Sequence, residues 1–188
     1  SRGRVLPGLG FDADVVSVAS HDTASAVAAI PMAASESAYI SCGTWGLVGL
    51  ELSEPVVTEA GRAANFTNEA GADGRNRFLH NVMGLWLLTE TVRQYGRDGQ
   101  GADLATLFGA AAPAPAPTQV FDTNDPRFLP PGDMPARIAD WYRERGLRVP
   151  DGPAGTVRAI LESLAAAFAS AVRAAGQLAG VDVRTVHI

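Results

Sequence analysis

Residues 15–30 run Val15-Val16-Ser17-Val18-Ala19, then Ser20-His21-Asp22-Thr23, then Ala24-Ser25-Ala26-Val27-Ala28-Ala29-Ile30. The first five favour a short buried strand, because β-branched side chains pack well on a pleated surface. The last seven favour a helix, and Pro31 ends it by removing an N–H and crowding the preceding turn. Strand, polar turn and helix in this order place His21, Asp22 and Thr23 at the C-terminal end of a strand. Open α/β sheets bind their ligands there.

The sequence around this unit extends an α/β pattern. Residues 37–41 and 46–52 are two apolar runs flanking Cys42-Gly43-Thr44-Trp45, which reads as a β-hairpin with a glycine-containing turn. Asn65-Phe66-Thr67-Asn68-Glu69 suggests an edge strand, followed by a glycine-rich turn over 71–74. Leu79, Val82, Met83 and Trp86 recur at i, i+3, i+4 and i+7, which predicts an amphipathic helix ending near Gly96. Residues 102–112 suit a short helix. The alternating prolines of 112–117 enforce an extended surface link. A second proline-rich stretch, 126–135, leads into a helix carrying Ile138, Trp141 and Tyr142. Val157, Ile160, Leu164, Phe168 and Val172 mark a long core-facing helix stopped by Gly180. Residues 183–188 resume a strand pattern, and a domain rarely ends on such a strand, so the C-terminus reads as a cut.

Composition excludes several classes. Hydrophobic residues make up 47% of the 188-residue chain, enough for a sizeable core. No uninterrupted apolar run approaches the ~18 residues of a membrane span, and no signal segment opens the chain. The expectation is a soluble, cytoplasmic protein without a membrane partner. A net charge of −5 argues against nucleic acid, which demands a basic face. All 15 cationic side chains are arginines. The absence of lysine removes Schiff-base chemistry and the P-loop lysine, so any phosphate must be held by amides, hydroxyls, arginines or a metal. Cys42 stands alone and allows no internal disulfide.

Asp22 has two readings. A helix-starting aspartate is favoured as an N-cap, because its carboxylate accepts amide hydrogen bonds. A carboxylate facing a cleft can also take a proton from a substrate hydroxyl that lies within hydrogen-bond reach, although position alone favours the cap. Ser20-His21-Asp22 is a hydrolytic triad only in letters, since consecutive side chains on a strand point to opposite faces. His21, His80 and His187 lack the spacing of a zinc site, and no metal ligand is assigned. Gly43-Thr44 is either an ordinary turn or a phosphate contact, in which glycine admits close approach and Thr44 donates a hydrogen bond. Asn81 is either a satisfied structural amide or a substrate contact.

Four segments resemble one family in order and spacing. They are residues 20–27, residues 41–47, Asn65-Phe66-Thr67-Asn68-Glu69, and Asn81-Val82-Met83-Gly84-Leu85-Trp86-Leu87-Leu88. Together they resemble the rhamnulokinases of the FGGY carbohydrate-kinase family, specifically over 15–93 and more thinly over 98–155. The resemblance implies an actin-like, ribonuclease-H-like α/β lobe, a mixed sheet with flanking helices. Residues 1–188 would then be the C-terminal, nucleotide-binding lobe, incomplete at its C-terminal end, with the N-terminal sugar-binding lobe absent. It further implies phosphoryl transfer from Mg-ATP to the 1-hydroxyl of L-rhamnulose, with ATP and Mg²⁺ as cofactors and the missing lobe and the sugar as partners. Asp22 would be the base, His21, Asp22, Thr23 and Asn81 would contact the sugar, and Gly43 and Thr44 would contact ATP. Two departures stand out. Thr89 occupies the place of a glutamine that usually reaches ATP, and the glycine-rich adenosine motif expected after Val186-His187-Ile188 does not occur in the chain. The alternatives are a related kinase for xylulose, fuculose or glycerol, and a non-catalytic actin-like nucleotide-binding module.

Overall fold

The computed structural model describes residues 2–4, 14–16, 21–33, 36–100 and 103–188. Two three-residue strands, β1 (Arg2–Arg4) and β2 (Asp14–Val16), pair antiparallel as a separate ribbon. β2 contains the start of the strand expected over 15–19. Residues 17–20, Ser20 among them, lie outside the described residues. The expected helix follows as α1 (Asp22–Ala28).

The hairpin forms as read: β3 (Ser37–Cys42) pairs antiparallel with β4 (Trp45–Leu52). A short helix, α2 (Glu59–Ala63), is capped by the Thr58 hydroxyl, which accepts from the Gly61 amide at 3.0 Å. β5 (Phe66–Ala70) is the expected edge strand, and β6 (Asn76–Met83) pairs with both β5 and β4. The helix expected through Leu79, Val82, Met83 and Trp86 therefore divides into two elements. The first three residues lie on β6, and only Trp86 enters a helix, α3 (Trp86–Arg97). β6 is buried on both faces: Phe78 and Val82 point one way, Leu79 and Met83 the other, all 3% exposed or less. Burial on both faces abolishes the alternation that marks a half-exposed strand.

The remaining helices are α4 (Leu104–Ala111), α5 (Met134–Glu144) and α6 (Gly152–Ala179), with a 3-10 turn at Pro126–Phe128. Asp103 and Asp133 cap α4 and α5 by accepting from amides three residues ahead, at 3.0 Å each. α6 ends on Gly180 in the left-handed conformation, φ 67°. The chain then doubles back so tightly that a Cβ on Gly176 would stand 2.8 Å from the Val181 carbonyl oxygen. That reversal feeds β7 (Thr185–His187), which pairs parallel to β3.

The result is a mixed five-stranded sheet in the order β5-β6-β4-β3-β7 with helices on both faces, an actin-like, ribonuclease-H-like α/β fold. α6 lies along one face, its Ala171 and Ala175 against Ile40, Val48, Leu50, Phe78 and Val82. By length and composition α6 would also pass for a membrane span, but its buried stripe is the lid of this core. The other face meets α1, where Val27 packs on Tyr39 and Leu79. A second core lies among α3, α5 and the start of α6. There Leu87, Phe128, Ile138, Tyr142 and Ile160 are at most 1% exposed. Each such side chain contributes roughly 1.5–3 kcal/mol relative to exposure.

Candidate active site

Strand register builds the site. On β4, Trp45 and Leu47 point to the α1 face. Leu47 lies between Ser41 on β3 and Asn81 on β6, so these three form one row across the sheet. α1 begins beside that row. His21, Asp22, Thr23, Ser41, Gly43, Thr44, Trp45, Leu47 and Asn81 thereby line one open cleft of about 510 Å³. Every candidate site residue read from the sequence is present: His21, Asp22, Thr23, Gly43, Thr44 and Asn81. Asn81 reaches the cleft from a strand and not, as its sequence pattern suggests, from a helix.

The capping role for Asp22 is not what the fold uses. His21 occupies the N-cap position of α1 and makes no side-chain cap, while its carbonyl accepts from the Ser25 amide at 3.0 Å. Asp22 is the first helical residue. Its carboxylate accepts from the adjacent Thr23 amide at 2.6 Å, and His21 Nδ1 is 3.5 Å away. The Asp22 side chain is 94% exposed, so the carboxylate faces the cleft.

The hairpin turn is fixed from behind by the start of α3. The Leu85 amide donates to the Gly43 carbonyl at 2.9 Å, and the Trp86 amide donates to the Thr44 carbonyl at 3.2 Å. Gly84 makes this docking possible. A Cβ there would stand 2.6 Å from the Gly43 oxygen and from the Trp45 carbonyl carbon, and 2.7 Å from the Gly46 nitrogen. In front of the turn, space is open, since a Cβ on Gly43 would meet only the Trp45 oxygen at 3.6 Å. The Gly43 amide is engaged with the Trp45 carbonyl at 3.0 Å. No described residue accepts from the Thr44 amide, and Thr44 is exposed, which leaves its N–H and O–H for a ligand.

The other candidates for chemistry fall away. Partial desolvation pushes the Cys42 thiol up, the opposite of an activated nucleophile. His80 points to the other face of the sheet, with Nδ1 3.0 Å from the Asn65 carbonyl oxygen and its ring beside Phe66. No group of three His, Cys, Asp or Glu among the described residues is placed to hold a metal. Ser41, Trp45, Leu47 and Gly84 were not singled out as site residues from sequence. The available signal was the alternation of the hairpin, which places 41, 45 and 47 on one face.

Residues 38–188 match the model of the FGGY family of carbohydrate kinases, C-terminal domain. The chain belongs to this family. Asp22 lies before the matched segment. Longer matches include it. The chain is 42% identical over 179 residues to a rhamnulokinase of Pectobacterium carotovorum subsp. carotovorum (strain PC1), covering 95% of this chain and 35% of that protein. It is also 42% identical over 180 residues to a rhamnulokinase of Enterobacter sp. (strain 638), covering 96% and 36% respectively. The chain thus spans about a third of the length of these relatives.

Proposed function

We propose that the chain is the C-terminal, nucleotide-binding lobe of a two-lobed kinase that phosphorylates the 1-hydroxyl of L-rhamnulose with Mg-ATP. The observation carrying this reading is the convergence of Asp22, Thr44 and Asn81 on one cleft, from three separate elements. The similarity to two rhamnulokinases supports the choice of sugar. The missing lobe would close over this cleft and complete the sugar pocket, in keeping with the length of those relatives.

In this mechanism Asn81 and His21 hydrogen-bond sugar hydroxyls, and Thr23 flanks them. The Asp22 carboxylate takes the proton of the 1-hydroxyl as its oxygen forms the new bond to the γ-phosphorus. The bond to the bridging oxygen breaks and ADP leaves. Phosphoryl transfer depends on alignment and charge stabilisation, and a correctly placed base adds ~10²–10⁴-fold. The Thr44 amide and hydroxyl donate to phosphate oxygens, and Gly43 lets them approach. Among the described residues no arginine lines the cleft, so in this reading the Thr44 donors supply the charge stabilisation that the described wall offers. The described residues do not form a metal cage, and magnesium fits best as part of the Mg-ATP substrate. A metabolic kinase of this kind would work in the cytoplasm, where ATP is.

Exposure of the full-length protein to L-rhamnulose, xylulose, fuculose and glycerol with Mg-ATP, read by coupled ADP release, tests the reading. L-rhamnulose should give the highest kcat/KM. Preference for another member of the panel would keep the kinase and change its sugar, and no turnover of any would favour a nucleotide-binding module.

A further inference from the structure

The chain has three tryptophans, and two of them are tied into the fold. Trp86 donates its indole N–H to the Phe128 carbonyl at 3.1 Å. Trp141 is 4% exposed, with the Arg145 guanidinium 4.0 Å from its ring centroid. Trp45 is different: it is 46% exposed and stands on the wall of the cleft that holds Asp22 and Asn81. A large apolar ring left open to water forgoes the gain of burial, which is informative when it lies in a concave, otherwise polar site.

The cleft is divided chemically. His21, Asp22, Thr23, Ser41, Thr44 and Asn81 bring polar groups, whereas among the described residues the large apolar side chains in its lining are Trp45 and Leu47. Those two are successive residues on one face of β4, and Leu47 is the cross-strand partner of Asn81. An apolar strip thus runs beside the amide assigned to the sugar. Any ketose can lay C–H groups on such a strip, but only a 6-deoxyketose ends in a methyl group, which needs no hydrogen-bond partner there.

Building on the kinase reading above, we infer that Trp45, with Leu47, is the specificity wall that receives the methyl end of a 6-deoxyketose and disfavours the hydroxymethyl counterpart. The physical basis is desolvation: a hydroxyl pressed against the indole loses water without gaining a partner. An apolar pocket discriminates at this level by about 10²-fold. Truncating the indole readmits water and removes the distinction.

The test uses the full-length enzyme with L-rhamnulose and L-fructose, which differ only by CH₃ against CH₂OH at C6. Wild type, Trp45→Phe and Trp45→Ala are compared by kcat/KM for each sugar, alongside thermal melting. The ratio of the two kcat/KM values should fall about tenfold or more in Trp45→Ala and remain mostly intact in Trp45→Phe. Addition of L-rhamnulose should change the intrinsic fluorescence of wild type, and Trp45→Phe should lose that change. Equal losses on both sugars, with the ratio unchanged, would overturn the inference and leave Trp45 a structural residue. An active wild type with no preference between the sugars would also overturn it while leaving the kinase reading intact. A wild type inactive on both would overturn the kinase reading and this inference with it.

Discussion

Replacing Gly84 with alanine places a methyl group where the fold has no room. The new Cβ would stand 2.6 Å from the Gly43 oxygen and the Trp45 carbonyl carbon and 2.7 Å from the Gly46 nitrogen, all backbone atoms that cannot rotate away. Ordinary contact begins near 3.4 Å, so the β3–β4 turn and the start of α3 must separate by about 0.8 Å. Overpacking of this kind costs about 1–3 kcal/mol of stability. The same displacement moves Thr44, whose carbonyl accepts from the Trp86 amide across that junction. Misplacement near 1 Å can cost ~10²-fold in rate. In the full-length enzyme, Gly84→Ala should therefore lower kcat by one to two orders of magnitude and lower Tm by several degrees, while the affinity for L-rhamnulose changes little. Coupled ADP-release kinetics and a thermal melt read both effects. Wild-type kcat together with wild-type Tm would refute the claim that this glycine holds the phosphate turn against the helix.

Three further outcomes are expected. Thr44→Val removes the hydroxyl proposed to donate to a charged phosphate, a loss of roughly 1.5–3 kcal/mol, so kcat/KM for ATP should fall about tenfold or more with Tm nearly constant. An unchanged kcat/KM would reduce the turn to plain structure. Gly180→Ala forces a Cβ into the left-handed region at φ 67°, which should cost about 1–2 kcal/mol in a denaturant melt, without a change in KM for either substrate. The 188-residue chain alone should not phosphorylate L-rhamnulose, because one wall of a two-lobed site cannot align hydroxyl and γ-phosphate. That alignment is worth up to ~7–11 kcal/mol. Turnover near that of the full-length enzyme in a side-by-side assay would contradict the two-lobed reading.

Much of the fold is legible in residues whose local chemistry agrees with their tertiary place. Gly180 stops a long helix because only a residue without Cβ adopts φ 67° cheaply, and the stripe from Val157 to Val172 identifies its buried face. The 37–52 hairpin shows in its two apolar runs and glycine turn. β6 is illegible for a physical reason. Paired on both edges and packed on both faces, it carries apolar neighbours at 78–79 and 82–83, and that spacing mimics a helix continuing into Trp86. Gly84 is the break between strand and helix, and its meaning lies in a contact with residues 43–46 that no local pattern encodes. The cleft was half legible. Asp22, Gly43, Thr44 and Asn81 each admitted a functional reading beside a structural one, and the family resemblance assigned their roles together with those of His21 and Thr23, whereas Ser41, Trp45 and Leu47 join the cleft through strand register.

The assignment of Asp22 as the base is tested most directly by Asp22→Asn in the full-length enzyme. Asparagine keeps the size and an acceptor for the Thr23 amide but cannot take the proton of the sugar hydroxyl. With 94% of the Asp22 side chain exposed, the substitution should leave Tm and L-rhamnulose binding close to wild type. Single-turnover and steady-state kinetics should show kcat reduced by ~10²–10⁴-fold. A variant that folds, binds the sugar and retains more than about a tenth of wild-type kcat would contradict the account.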